Sequence, residues 1–484
     1  MISKGNWVML ISADIWPLLQ SCPEPVVAYV AQLLEDKEQL EQENARLRVQ
    51  INQNSGNSHV PPSKNIFKKN FSLRKKTGRK PGGQPGHPGA TLRRSENPDV
   101  IVEHQAHTCE HCHASIPEDT PVIDQETRQE IEIEIRRVVR EHRCGIVLCP
   151  DCGKRTKGAF PQDVNHYLQY GPSYKALMLY LNQGNFVPFE RLAQFSADVL
   201  HVPVSVGTLV RFVQEARVGL SQPLQTIREQ IIKAPVAYFD ETGTRVAGKL
   251  HWRHTAGTDQ YVCFYTHKKR GKEAMIDMGI LPVFTGYAMH DFLKSYFFFL
   301  SCGHALCNAH LLRELNGIEE NDKQLWPQKM KEVLLDAKAL RDTTASWPLP
   351  QPELQTLSRR YNEAIQLGLE ENPERILLPD APKKRGRNPK TKARNLLDRM
   401  KQFKDNILLF LHEQDVNFDN NASERNLRMS KTQQKVSGCF RSGDGCVAFD
   451  DFHSYLATAR KHDISAYDAV YALTSGQPLF SQPP

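Results

Sequence analysis

Between Ile51 and Arg94 the chain carries ten Lys or Arg residues and not one Asp or Glu, interleaved with Pro and Gly ("GRKPGGQPGHPGATLRR"). A stretch this basic and this poor in apolar periodicity cannot bury a face, so no single core can run through all 484 residues. The length itself points to roughly three or four domains. Net charge is only +7, so the basicity is local. Such a block reads as a solvated arm, or as a segment that orders on a polyanion. Within it "GRKPGG", with Arg79 and Lys80, resembles the extended hooks that enter a DNA minor groove, as does "KKRGRNPK" at 383–390. Solvated tails account for both equally well.

Upstream of this block, residues 26–51 carry a seven-residue repeat. Val26, Leu33, Leu40 and Leu47 occupy one seam position; Val30, Lys37, Asn44 and Ile51 occupy the other. Leucines with a lone seam Asn suit a parallel two-stranded coil, in which the Asn sets register. An amphipathic helix packed on its own protein would show the same spacing.

Composition (40% apolar, 24% charged) is that of a globular protein. No apolar run approaches the roughly 18 residues that span a bilayer. "WVMLISADIWPLL" is broken by Asp14 and does not read as a signal peptide, and "YFFFL" (296–300) is a buried strand or helix segment. The eleven cysteines are an odd number, and four form two Cys-x-x-Cys pairs. That pattern favours metal binding in a reducing compartment over disulfides, and so a cytoplasmic location with no membrane partner.

Compositional shifts divide the chain into six parts. Residues 1–51 form a helical, leucine-zipper-like segment, and 52–98 the basic Pro/Gly linker. Residues 99–160 form a zinc-binding module, in which "EIEIEIRRVV" and "CGIVLC" predict a β-hairpin between the cysteine pairs. Residues 161–233 are helical, a DNA-binding or linking region. Residues 234–455 are a core whose strands are "VAYFDETGTRV", "KLHWRHTAG", "QYVCFYTH" and "TGYAMHD". In it, helix returns at 304–317, and 320–400 is a polar, Pro-broken helical insertion. Further helices lie near 421–435 and 449–462, and 456–484 is the C-terminal helix and tail.

Two constellations carry chemistry. Cys109, Cys112, Cys149 and Cys152 present four thiolates, the ligand set of a closed, structural tetrahedral zinc site. His107, His111, His113 and Cys144 are possible substitutes, and unrelated free thiols are the plain alternative. Such a ribbon grips nucleic acid or stiffens a domain rather than catalysing. The second constellation is acidic. Asp240 and Asp291 each end an apolar strand, and Glu424 in "FDNNASERNLR" opens a later helix. Three hard oxygen donors brought to one point suit Mg²⁺ or Mn²⁺, and a pair of such ions supports in-line phosphoryl displacement. The plain readings are strand-end turn residues for the two Asp. For Glu424 the plain reading is a capping box with Asn421.

"FDETGTRVAGKLHW", "HDFLKSYFFFLSCGHALCNAHLLREL" and "DNNASERNLRMSKTQQKVSGCFRSGDG" closely resemble three blocks of the insertion sequence 66 transposase family. The leucine seam, "NSGNSHVPPSKN", "GRKPGGQPGHPG" and the paired cysteines resemble that family's N-terminal regions in the same order. The resemblance implies a multidomain chain with an α/β ribonuclease H-like catalytic core at 234–455. Its helical insertion would be joined by an N-terminal helix or coiled coil and a small zinc-ribbon-like β module. It implies an Asp-Asp-Glu triad of Asp240, Asp291 and Glu424. One departure stands out: after "HW" this chain reads "RHTAG", where relatives tend to carry a second aromatic residue and an apolar strand. Cys307-x-x-His310 resembles a signature found after the second Asp in related groups. His304, Cys307 and His310 could share a helical face as a second zinc site, but helix packing or phosphate contact is favoured.

The expected function is a bacterial, nucleoid-associated DNA transposase with two catalytic Mg²⁺ or Mn²⁺ ions and one structural Zn²⁺. Water would cut each element end, and the freed 3′-hydroxyl would attack target DNA. Arg425, Arg428 and Lys431, with His310, Arg313, Arg79 and Lys80, would contact double-stranded DNA. A homodimer or higher assembly is expected on DNA, with accessory proteins of the same element as possible partners. A catalytically inactive zinc-containing regulator and a nuclease without strand transfer are the competing readings.

Overall fold

A computed structural model describes residues 22–54, 56–58, 92–373 and 390–481. Arg79, Lys80 and nearly all of the "KKRGRNPK" hook lie outside them. The chain forms two units. The larger comprises Met1–Leu73, Tyr167–Leu192 and Ser205–Pro484; the smaller, Arg74–His166 and Ala193–Val204.

In the larger unit, helix α1 (Glu24–Asn52) realises the heptad segment. Its seam residues Val26, Leu33, Leu40 and Leu47 stand exposed on the single chain. The smaller unit contains β1 (Ile146–Leu148) and β2 (Arg155–Lys157), an antiparallel pair with Val147 opposite Thr156. The predicted hairpin is thus displaced: it wraps the second cysteine pair instead of joining the two pairs. "EIEIEIRRVV" alternates like a strand, yet it has no ladder partner among the described residues, and Ile131, Ile133 and Ile135 are exposed. Alternation alone does not make a strand, because backbone groups need a second strand to pair with.

The helical region holds α2 (Pro172–Leu179), a π turn at Tyr180–Gly184, α3 (Phe189–Asp198), α4 (Val206–Gly219) and α5 (Ser221–Lys233). Ser205 caps α4 by accepting the Thr208 amide. Next come β3 (Val236–Val246), β4 (Lys249–Gly257) and β5 (Val262–His267). Ala247 and Gly248, both with positive φ, make the two-residue turn between β3 and β4. Helix α6 (Lys272–Met278), β6 (Tyr287–His290) and β7 (Gly303–Leu306) follow. The sheet order is β5-β4-β3-β6-β7; the first three strands are antiparallel, and β6 and β7 run parallel to β3.

The period of two along β3 sends side chains into two cores. Ala237 and Phe239 join Ile227 and Ile231 of α5 and Met275 and Met278 of α6. Val236 and Tyr238 join the opposite core, built on α7 (Asn308–Asp322), α8 (Trp326–Thr343), α9 (Gln351–Glu371), α10 (Lys392–Gln402) and α11 (Lys404–Leu408). The stretch expected as a polar insertion therefore supplies much of the largest core, with Trp326, Met330, Leu334, Tyr361 and Leu397 fully buried. Two of its prolines begin helices instead of breaking them. Pro327 and Pro352 sit in the first turns of α8 and α9, where no amide partner is needed.

Helix α12 (Asn421–Ser437), α13 (Gly443–Lys461) and α14 (Ala466–Thr474) close the chain. Helix α13 covers the β5 edge: Thr458 Oγ1 and Ser454 Oγ accept the amides of Val262 (3.1 Å) and Phe264 (2.8 Å). An edge satisfied in this way cannot recruit another strand. The "RHTAG" departure is resolved at the same place. Arg253, fully buried on β4, pairs with Asp450 of α13 at 2.6 Å and lies over the Phe449 ring. Its polarity is matched by a charge from α13, and the strand remains intact. His254 is buried too, and desolvation holds its imidazole down at about 4, leaving it neutral.

Candidate active site

Strands β3 and β6 are neighbours, with Tyr238 paired to Met289. Asp240 and Asp291 each lie two positions further on, so they reach the same level. Asp291 follows the end of β6, but Asp240 lies inside β3, which continues to Val246 because its pairing with β4 carries it past the apolar run expected to end there. Tyr238 and Met289 share one core cluster, so strand parity directs both acids to the face that α7 covers. The Asp240 carboxylate accepts the Glu241 amide at 2.8 Å, and Asp291 accepts the Leu293 amide at 2.9 Å. Burial, above all, holds the Asp240 carboxyl well above the usual range. The charges of Glu241, then Asp291 and last Glu424 push it the same way, and the hydrogen bond from the Glu241 amide, larger than the effect of Glu424, pulls against them.

Glu424 lies in the first turn of α12, but Asn421 does not cap it. The N-cap is Asn420, which makes no side-chain cap. Asn420 instead ties the site together: its amide nitrogen Nδ2 donates to Phe239 O (2.7 Å), and its backbone N–H donates to Cys307 Sγ (3.2 Å). One buried residue thus locks the start of α12, by its side chain to the residue before Asp240 and by its backbone to the start of α7. The Glu424 carboxylate faces Arg313 at 3.5 Å and His310 at 3.8 Å, both on α7. Among the described residues no three His, Cys, Asp or Glu side chains converge closely enough to share one ion. Asp240 feels the charges of both Asp291 and Glu424, while Glu424 is turned to its basic partners.

The idea that His304, Cys307 and His310 share a helical face is corrected by β7, which ends at Leu306. His304 is on that strand and bonds His290 (2.9 Å), whereas Cys307 caps and His310 belongs to α7. The Cys307 thiol is fully buried, and desolvation pushes it up to about 12. A thiol so held stays protonated and is a poor metal ligand. Its roles are to accept the Asn420 amide and to meet His310 Nδ1 at 3.3 Å.

On the opposite face from Asp240, Glu241 pairs with Arg270 (2.7 Å) and accepts the Tyr296 hydroxyl (2.7 Å). Sequence reasoning missed this braced pair, as it missed Asn420. The signal available was weak: of two successive acids within a strand the second must point the other way, and it needs a partner if buried. "YFFFL" is a 3₁₀ turn at its start; Tyr296 is buried but Phe298 is exposed. On α12, Arg425 and Arg428 are exposed, while Lys431 donates to Gly243 O at 3.2 Å and helps pin the helix to β3.

The cysteine pairs form two matching knuckles. The Cys109 amide bonds Ala114 O and the Cys149 amide bonds Lys154 O, each at 2.9 Å; His113 and Gly153 occupy equivalent left-handed positions. Backbone N–H groups of residues 111 and 112, and of 151 and 152, face Cys109 and Cys149 and lower their thiol pKa values. Each knuckle thereby favours thiolate, the metal-binding form. Cys144, His107 and His111 lie in the same smaller unit.

No curated protein matches the chain. The profile of the Transposase IS66 family matches residues 168–448, well over half of the 484. That span holds the whole five-stranded sheet, all three acids and the Asn420 tie. The chain belongs to the Transposase IS66 family.

Proposed function

We propose that this transposase cuts DNA at the ends of its element and joins the freed ends to target DNA, using Asp240, Asp291 and Glu424. The observation that carries this reading is the strand register that sets Asp240 and Asp291 side by side on neighbouring strands, facing the helix whose Arg313 and His310 hold Glu424. A sheet order of third, second, first, fourth and fifth strand, with the first three antiparallel, supports a ribonuclease H-like core.

The donor set fits a hard divalent cation. Asp240 and Asp291 repel each other at neighbouring strand positions, and a cation would offset that repulsion and draw Glu424 from its basic partners. Asp240, Asp291 and Glu424 would hold Mg²⁺ or Mn²⁺, whose bound form supplies positive charge to the attacking and leaving oxygens of an in-line displacement. Arg425 and Arg428 would bind backbone phosphates without reading sequence. Arg313 and His310 hold Glu424 on a rigid helix and release it as it takes up its ligand position. In the first step a water oxygen bonds to phosphorus, the bond to the 3′-oxygen breaks, and that oxygen takes a proton. In the second step the 3′-hydroxyl oxygen bonds to a target phosphorus and the target's own 3′-oxygen leaves. No covalent link to the protein is required. Cys109, Cys112, Cys149 and Cys152 would hold one structural Zn²⁺, with two protomers pairing two ends.

The test is cleavage of an element-end duplex with Mg²⁺, alongside a joining assay with pre-cut ends. Asp240→Asn should abolish cutting and leave duplex binding nearly intact. Cutting at the wild-type rate by that variant would sink the assignment. Cutting without joining would leave a nuclease, and binding by a wild-type chain that never cuts would leave a regulator.

A further inference from the structure

Helix α1 ends at Asn52, and the residues after it fold back into a self-bonded turn. Asn54 N–H donates to Asn57 Oδ1, and Gly56 N–H donates to Asn54 Oδ1, both at 2.8 Å. Asn57 Nδ2 also donates to Asn52 O (2.8 Å), which ties the turn to the helix end. A turn satisfied this fully needs no other support, yet Asn57 is only 6% exposed. What covers it is α7.

Three residues of α7 form the seat. Glu320 Oε2 accepts from Asn57 Nδ2, and Asn316 Nδ2 donates to Gly56 O (3.3 Å). Lys331 of α8 donates to Asn316 Oδ1 (2.8 Å), which fixes the amide so that its nitrogen faces the turn. Between them lies Gly317. Glycine inside a helix is unfavourable and calls for a reason. Here a Cβ would fall within the van der Waals shell of the Asn57 carbonyl.

We propose that α7 carries a receptor for the chain's own Asn54, Gly56 and Asn57 turn, and that this latch anchors the N-terminal helix segment to the active site. The receptor lies on the next turn of the helix that presents His310 and Arg313 to Glu424. A segment fastened there begins its path at the site where DNA would be cut. The latch itself stands on contacts alone; its effect on cutting rests on the strand-cutting reading above.

Hydrogen exchange of the full chain without DNA separates the two. Gly317→Ala should push out the turn while improving α7, since Ala is the better helix former. Exchange across residues 54–58 should quicken roughly tenfold, the scale of one or two lost hydrogen bonds, with no quickening in α7. Asn57→Ala should do the same by removing the partner from the other side. Unchanged exchange in both variants would overturn the latch. The same variants should cut an element-end duplex several-fold more slowly at limiting DNA. Faster exchange with undiminished cutting would overturn the link to the site. A wild-type chain that cuts nothing would instead indict the strand-cutting reading and leave the exchange result standing.

Discussion

Two segments of this chain read as strands in sequence, and they end differently. "VAYFDETGTRV" becomes β3, the central strand, paired on both sides and buried on both faces. "EIEIEIRRVV" stays extended, its isoleucines open to solvent. The alternation is in fact the stricter in the second. What β3 has and the other lacks is two ladder partners and helices on each face, so its burial stabilises the pairing that permits it. The small unit has two sulfur knuckles in place of a core, and its order should depend on what those thiolates bind.

The largest expected effect lies at the acids carried by β3, by the end of β6 and by α12. Asp291→Asn or Glu424→Gln should slow cleavage of an element-end duplex by about a thousandfold or more while leaving the circular dichroism spectrum unchanged. An unaffected rate in either would separate that acid from the chemistry.

The comparison between the two segments can be broken by a pair of substitutions. Phe239→Ala, in the core beneath β3, should cost about 3–5 kcal/mol in denaturant unfolding. Ile133→Asp, on the exposed stretch, should change the same transition by less than about 0.5 kcal/mol. Comparable losses would mean that the exposed stretch is packed in solution.

Zinc sharpens the contrast. Chelation, or Cys149→Ser, should loosen the smaller unit, seen as faster amide exchange around both knuckles, and weaken end binding in a gel-shift assay. The main thermal transition of the sheet should hold. Equal exchange with and without chelator would remove zinc from the account.

The pH dependence follows from the sign of the Asp240 shift. Its folded pKa is raised, so the folded chain keeps a proton that the unfolded chain releases. Its contribution to stability is full below the ordinary carboxyl range and is lost as pH rises through the raised value. With divalent cations removed, Asp240→Asn should therefore melt higher than wild type at neutral pH and show a flatter pH profile. Added Mg²⁺ should stabilise the wild type more than the variant. A wild type indifferent to pH across that range would contradict the crowding of acids.

Least in size, Arg428→Ala should weaken DNA binding severalfold and reduce the salt slope by about one. An unchanged slope would take Arg428 off the phosphate backbone.

Much of this architecture was legible in the residues. The ranges of β3, β4, β5 and β6 follow closely from apolar runs punctuated by Asp, Gly and Pro. Asp291 does follow the end of its strand, but Asp240 lies inside β3, whose pairing with β4 carries it on to Val246. Strand β7 was hidden because "GHAL" is four residues long and runs straight into a helical pattern. Arg253 could not be understood locally, since Asp450 lies 197 positions away. Asn420 was invisible for a similar reason: in sequence it is one of several polar residues near a helix start, and only packing shows that it joins β3, α7 and α12. The "EIEIEI" stretch misled because the ladder partner that decides a strand's fate is not part of its own periodicity.

The most direct measurement is anomalous scattering from crystals of the full chain grown with Mn²⁺. The account predicts a peak about 2.1 Å from carboxylate oxygens of Asp240, Asp291 and Glu424, with Glu424 turned away from Arg313. Density at other residues, or none among these three, in a protein that still cuts DNA, would contradict it.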